Sequence, residues 1–225
     1  MVNNPKQLLH TAMFLFLILC SIVLNPDTPK TFAADYDVLV AELRKDDWQT
    51  RLNKSGAINL DDEKMFNALI DLINNGGLDW KIRIRGIHML GESRNPMTAD
   101  ILIRTLQNSF ITDECPAIKS SLAFELGKFH DDTRVLDALV AGLDDEELQV
   151  KEASIRSLGM IGDTKAVPFL LDRLKDKNFT VRLNAIRSIG RIGDRKAIPY
   201  LREIIDSDGD VYIRNEASAA LARME

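Results

Sequence analysis

The side chains able to do chemistry are few and scattered. Of three histidines in 225 residues, His10 falls in an N-terminal apolar segment, His88 stands four before Glu92, and His130 is followed by Asp131 and Asp132. Four-residue spacing puts His88 and Glu92 on one side of a helix. Metal sites need about four converging N, O or S ligands, and two histidines in distant segments supply too few. The pattern therefore predicts a helix-surface pair for His88–Glu92 and a turn cap for His130. Besides Cys20 the chain has one cysteine, Cys115, before Pro116. A single cysteine makes no internal disulfide, so Cys115 reads as a small structural residue at a helix start. No catalytic constellation, cofactor site or metal site emerges.

Charge narrows the partners. Lys and Arg number 29, Asp and Glu 34, for a net charge of −5. An acidic chain with dispersed cations is a poor binder of nucleic acid or anionic membranes. Lys151, Arg182 and Arg214 each follow an aspartate (Asp145, Asp176, Asp208) by six residues. That regularity predicts a ladder of ion pairs rather than an anion-binding stripe, each exposed pair worth about 0–1 kcal/mol.

The elements that must position these groups are read from a repeat. Residues 150–170 are VKEASIRSLGMIGDTKAVPFL and residues 181–201 are VRLNAIRSIGRIGDRKAIPYL. Gly159 and Gly190, Asp163 and Asp194, and Pro168 and Pro199 are each 31 apart. Val150, Ile155, Leu158 and Ile161 give one apolar helix face. Gly159 and Gly162 suit a helix end, Asp163 a cap for the next helix, and Pro168 that helix's first turn. Ala166, Val167, Leu170, Leu171 and Leu174 form the second stripe. Neither helix can bury its stripe alone, so copies must stack.

The pattern Val-Arg-x-x-Ala-Ile-x-x-Ile-Gly-x-Ile-Gly-Asp-x-x-Ala-Ile-Pro-x-Leu resembles HEAT repeats, more narrowly the phycobilisome-lyase-like HEAT class. The resemblance implies an all-α, right-handed α-α superhelix, a HEAT/armadillo-type solenoid of about five helix pairs plus terminal cap helices. HEAT-like enzymes include deoxyhypusine hydroxylase, whose di-iron centre needs several His-Glu pairs on first helices. No His-Glu dipeptide occurs in this chain. The bilin-lyase activity attached to the class name finds no supporting residue either.

Further repeats are expected at 46–79, 80–112, 115–146, 148–178 and 179–210, with a half-repeat at 211–225. Asp35–Lys45 reads as a cap helix with Val38, Leu39 and Leu43 on one side. Trp48, Trp80, Leu148 and Phe179 share one repeat position, where a large apolar side chain is expected to pack between repeats.

Residues 1–33 lie outside the expected array of 34–225. Lys6 precedes the apolar run Thr11–Leu24, Pro26 and Pro29 break it, and Thr31-Phe32-Ala33 offers small residues at −3 and −1 of a cut. This predicts a secretory signal peptide and an exported bacterial protein of the periplasm or cell envelope. The run is shorter than the roughly 20 residues of a span, so a membrane anchor at 11–24 is the alternative. Leu19 is not small, which argues against lipidation at Cys20. Removing the segment deletes two lysines and one aspartate, leaving the chain still more acidic.

Alignment of the second helices on Leu106, Leu143, Leu174 and Ile205 places Ile101, Ala138, Phe169 and Tyr200 in one row. Arg104, Ala141, Asp172 and Glu203 form the next, with Arg173 beside it. The HEAT resemblance implies that second helices line the concave side. Ile101, Arg104, Phe169, Asp172, Arg173, Tyr200 and Glu203 are thus the candidate partner-binding residues, against ordinary packing between repeats. The expected function is a non-catalytic scaffold or adaptor for a protein or peptide. The alternatives are an enzyme or enzyme subunit of the lyase/oxidoreductase group, and a structural subunit of an envelope complex.

Overall fold

In a computed structural model, residues 30–50, 60, 62–108, 115–130 and 132–225 are described, with side chains from residue 36. The signal segment, the Leu19–Cys20 site, most of the first helix of the first repeat, Asp61 and Asp131 lie outside them. Among the described residues every regular element is helical. In chain order these are α1 (Lys30–Leu43), α2 (Glu63–Asn74), α3 (Trp80–Gly91), α4 (Thr98–Gln107), α5 (Pro116–Leu126) and α6 (Thr133–Ala141). Then come α7 (Leu148–Ile161), α8 (Val167–Asp172), α9 (Phe179–Ile192), α10 (Ile198–Ser207) and α11 (Val211–Ala222). Short 3₁₀ turns precede α8 and α10 and follow α6 and α8. No described helix is long and apolar enough to cross a membrane.

Each second helix, or the turn that leads into it, starts on a side-chain oxygen that accepts backbone N–H groups. Asp62 accepts from Lys64 N (2.7 Å), Asp132 from Arg134 N (2.9 Å), Asp163 from Lys165 N (2.9 Å) and Asp194 from Lys196 N (3.0 Å). In the second repeat Asn95 does the same for Met97 N. Gly162 (φ 77°) and Gly193 (φ 74°) take the left-handed conformation that ends α7 and α9. Gly159 does not end its helix, as its position suggested. It lies inside α7, where an added Cβ would come 2.8 Å from the Cα of Ser188 on α9. Gly190 meets Ala220 and Gly127 meets Ser157 in the same way. The first helices α3, α5, α7, α9 and α11 thereby stack directly on one another, while successive second helices touch one another far less.

The buried stripes close one continuous core running along the array. Leu170, Ile189, Leu201 and Ile213 are fully buried, as are Ile87, Leu102, Leu122 and Leu139 farther back. Leu171, assigned to the α8 stripe, is half-buried at its edge. The cap helix α1 buries Leu39 and Leu43 against α2. Val38 is 57% exposed, because only the four-residue spacing of 39 and 43 stays on that face.

The charge ladder exists with a different register. Lys119 Nζ lies 2.5 Å from Asp145, and Arg182 Nε 3.4 Å from Asp208, so each cation reaches the carboxylate in the segment that closes its own repeat. Arg182 and Arg214 donate instead to the backbone carbonyls of Asp176 (2.8 Å) and Asp208 (2.6 Å), the aspartates six residues before them. Lys151 has no carboxylate within 4.0 Å among the described residues. It lines a cleft of about 420 Å³ with Leu148, Asp176 and Val181.

Trp80 and Leu148 are exposed at 46% and 40%, against the expectation of inter-repeat packing, while Phe179, 37% exposed, sets its ring 6.1 Å from that of Tyr212 in the half-repeat. Each is the first residue of its helix, so its side chain leaves the stack at the loop edge. Trp48 alone of that set is half-buried against the core.

Leu170→Ala removes a fully buried side chain and is expected to cost roughly 2–5 kcal/mol. Gly159→Ala forces α7 and α9 apart and is expected to cost roughly 1–3 kcal/mol. Exposed Lys177→Ala should stay within about 0.5 kcal/mol. Urea melts of the three variants check this order, and equal midpoints would refute the packing described.

Candidate functional site

The face of the second helices opposite the core carries most of the candidate residues. In α8, Val167 and Leu170 point inward, so Phe169 and Asp172, three residues apart, share the outer side. In α10, Leu201 and Ile204 point inward and leave Tyr200 and Glu203 outside. Phe169 is 42% exposed and Tyr200 46%, so neither ring is consumed by packing. Arg104 is exposed and held by Asp100 one turn earlier, at 2.9 Å. Glu203 pairs with Lys175 at 3.4 Å. Two candidates differ from this pattern. Ile101 is half-buried against the core, and Arg173 is half-buried and bonded to Asp144 at 2.7 Å. In α6 the row holds only Ala138, buried, and Ala141. The aromatic and acidic part of the strip is therefore confined to α8 and α10.

Cations on this face are already matched. Arg134 lies 2.7 Å from Asp132 and 3.1 Å from Asp100. Its hydrogen bonds hold the Asp132 carboxyl below the usual carboxylate range. Asp137 and Asp172 are exposed with no cation within 4.0 Å among the described residues. Asp137 was not singled out in the sequence. Its position beside Ala138 and one turn before Ala141 in α6 is the signal that marks it.

A second polar group lies between the first helices α3 and α5. Glu125 is 1% exposed at a position filled elsewhere by Met89, Ser157, Ser188 and Ala220. Its Oε1 is 2.6 Å from His88 Nδ1, and its Oε2 is 2.7 Å from Lys128 Nζ. Lys128 also pairs with Glu92. Burial pulls the Lys128 ammonium down, but the hydrogen bonds and charges of Glu125 and Glu92 outweigh it and the net shift is upward. Gly91 makes the room, since a Cβ there would fall 1.8 Å from Glu125 Oε2. The expected His88–Glu92 pair is thus replaced by two contacts between repeats, His88–Glu125 and Lys128–Glu92. His130 reaches the Ile161 carbonyl at 3.3 Å, also in the next repeat, and the cap is Asp132. Sequence reasoning missed Glu125, although a glutamate where neighbouring repeats carry serine or alanine was visible.

Such a group can orient an imidazole, and it also staples two repeats together. Among the described residues no three His, Cys, Asp or Glu side chains gather as metal ligands. Lys128→Ala leaves a buried carboxylate oxygen without its cation, and is expected to cost roughly 1–3 kcal/mol. Adding Glu125→Gln to that variant should recover part of the loss. Urea denaturation of the single and double variants checks both statements.

A family model of HEAT repeats matches residues 103–182 and 136–222, together more than half of the chain. No curated protein matches. Among solved structures, the complex of CpcE and CpcF of phycocyanin lyase from a Nostoc species is similar, with a TM-score of 0.58 and 21% identity. The match covers 70% of this chain and 64% of that one, so this chain spans less than two thirds of its length. A designed armadillo repeat protein in complex with the peptide (KR)4 has a TM-score of 0.56 at 14% identity, covering 88% of this chain and 96% of the design. An engineered protein has a TM-score of 0.54 at 15% identity, covering 90% and 93%. At these identities the likenesses establish the fold, a HEAT/armadillo-type solenoid.

Proposed function

From the premise that this chain belongs to the HEAT-repeat family, we propose that it is a non-catalytic scaffold binding a protein or peptide segment across its second helices. The observation that carries the reading is the exposure of Phe169 and Tyr200 at one repeat position, with Asp172 and Glu203 three residues on. Aromatic anchors bordered by acid suit a segment with an apolar side chain beside a basic one. The designed armadillo protein that holds (KR)4 is a precedent for this fold taking a basic peptide. The CpcE–CpcF complex is a precedent for such a chain working beside a partner.

Export is part of the proposal. It rests on the apolar run Thr11–Leu24 and the small residues before Ala34. Helix α1 begins at Lys30, so a cut after Ala33 would trim its first turn and spare Leu39 and Leu43, which dock it. Intact mass of the protein from an envelope fraction is expected to give a chain starting near Ala34. Full-length chain in the cytosol would sink this part.

The enzyme-subunit reading draws on the lyase fold and on the His88–Glu125 contact. It assigns no substrate, and Glu125 is also claimed by Lys128. Elemental analysis of the purified protein is expected to find no stoichiometric iron, and about two irons per chain would overturn the non-catalytic reading.

The binding test is a titration with a labelled peptide of alternating lysine and leucine. Tyr200→Ala is expected to weaken binding by more than about 1 kcal/mol. Asp172→Asn should act more on association rate and salt dependence. Both side chains are exposed, so both variants should melt as the parent does. Unchanged affinity in both would return these residues to the surface at large.

A further inference from the structure

The outer face of the first helices carries a charge opposite to that of the second helices. Arg156 and Met160 lie one turn apart on α7, Arg187 and Arg191 one turn apart on α9, and Tyr212 and Arg223 lie at the equivalent side of α11 and its end. Residues of neighbouring helices meet on this face. Thr180 donates to Glu152 and Arg187 Nη2 lies 3.0 Å from Glu216, while at the end of α11 Arg223 Nη2 lies 3.7 Å from Glu216 of its own helix. Gly159 on Ser188 and Gly190 on Ala220 beneath bring the helices this close. Four arginines therefore stand over two glutamates, in a chain whose net charge is −5.

The arginines are not equivalent. Arg187 is held by Glu216, whose hydrogen bond pushes the guanidinium pKa further up. Arg223 is shared with Glu216. Arg156 and Arg191 are exposed, and among the described residues neither has a carboxylate within 4.0 Å. Beside Arg187, Tyr212 is 52% exposed and its ring stands 6.1 Å from that of Phe179. Two free guanidinium groups thus flank a fixed one, which adjoins an exposed aromatic pair.

We propose that this face of α7, α9 and α11 docks an acidic segment of a partner protein, whose carboxylates engage Arg156 and Arg191 while a neighbouring apolar side chain packs on the Phe179–Tyr212 pair. Guanidinium groups suit carboxylates through paired N–H donors. Glu152 and Glu216 interrupt the positive face, which fits separate carboxylates and repels the continuous phosphate row of a nucleic acid. The acidic remainder of the chain adds to that repulsion. The surface is distinct from the second-helix strip and stands or falls without it.

The test is fluorescence anisotropy with the whole protein and a labelled short peptide of alternating glutamate and leucine. Arg156→Glu/Arg191→Glu is expected to weaken binding by about tenfold or more, and added salt should weaken the parent complex. Asp172→Asn/Tyr200→Ala should leave this peptide's affinity unchanged, which separates the two surfaces. Where circular dichroism shows the charge-reversed protein unfolded, Arg156→Gln/Arg191→Gln replaces it and is expected to weaken binding several-fold. Unchanged affinity in the folded arginine variant would overturn the proposal. So would tighter binding of the lysine–leucine peptide at this face, abolished by the same variant, or tighter binding of a single-stranded oligonucleotide of equal length.

Discussion

The close approach of the first helices is the constraint on which the rest of the molecule depends. Gly127 on Ser157, Gly159 on Ser188 and Gly190 on Ala220 are contacts with no space for a larger side chain. They set the spacing of the stack, and the spacing sets what neighbouring repeats can exchange. Thr180 reaches Glu152 and Arg187 reaches Glu216 because α7, α9 and α11 lie within side-chain reach. A repeat array has only nearest-neighbour interfaces, so a small-residue contact at each junction acts at every step along it. The second helices have no such contact, and their outer side chains are correspondingly freer.

One junction departs from the rule. Between α3 and α5 the small residue is replaced by Glu125, and the glycine opposite, Gly91, accommodates a carboxylate instead of a hydroxymethyl or methyl group. Charge burial of this kind is costly unless partners supply compensating bonds. His88 supplies one, and Lys128, bridged outward to Glu92, supplies the other. The same close spacing that excludes side chains at three junctions thus holds an ionic group at the fourth. Its partners come from both helices, so the group ties the register of the second repeat to that of the third.

Much of this was legible in the chain. The 31-residue offset between Gly159 and Gly190 and the Asp163/Asp194 caps are local patterns, and local patterns map directly onto helix starts and ends. The stripe residues Leu170 and Ile189 were legible for the same reason: helical periodicity reports a buried face. What periodicity does not report is which residue of the next helix stands opposite. Gly159 therefore read as a helix end when it is a contact point, and Glu92 read as the partner of His88 when Glu125 is. Trp80 and Leu148 show the other blind spot. Their repeat position was clear, but a residue at the first position of a helix faces the loop edge, where apolar character does not imply burial. The candidate strip divided along similar lines. Phe169 and Tyr200 stood clear of the core because their offset from Leu170 and Leu201 is one residue, whereas Ile101 was drawn into the packing by its own chemistry.

The two faces differ in how their charges are arranged. On the second helices the cations Arg104, Arg134 and Arg173 are held by local acids, and Asp137 and Asp172 are left over. On the first helices of the last repeats the acids Glu152 and Glu216 are engaged, and Arg156 and Arg191 are left over. The net charge of −5 therefore hides a polarity across the thickness of the array. Both layers come from the same repeat, since each contributes one helix to each face. A buried apolar core lies between them. On that geometry a partner held on one side would not have to be released for another to bind the opposite side.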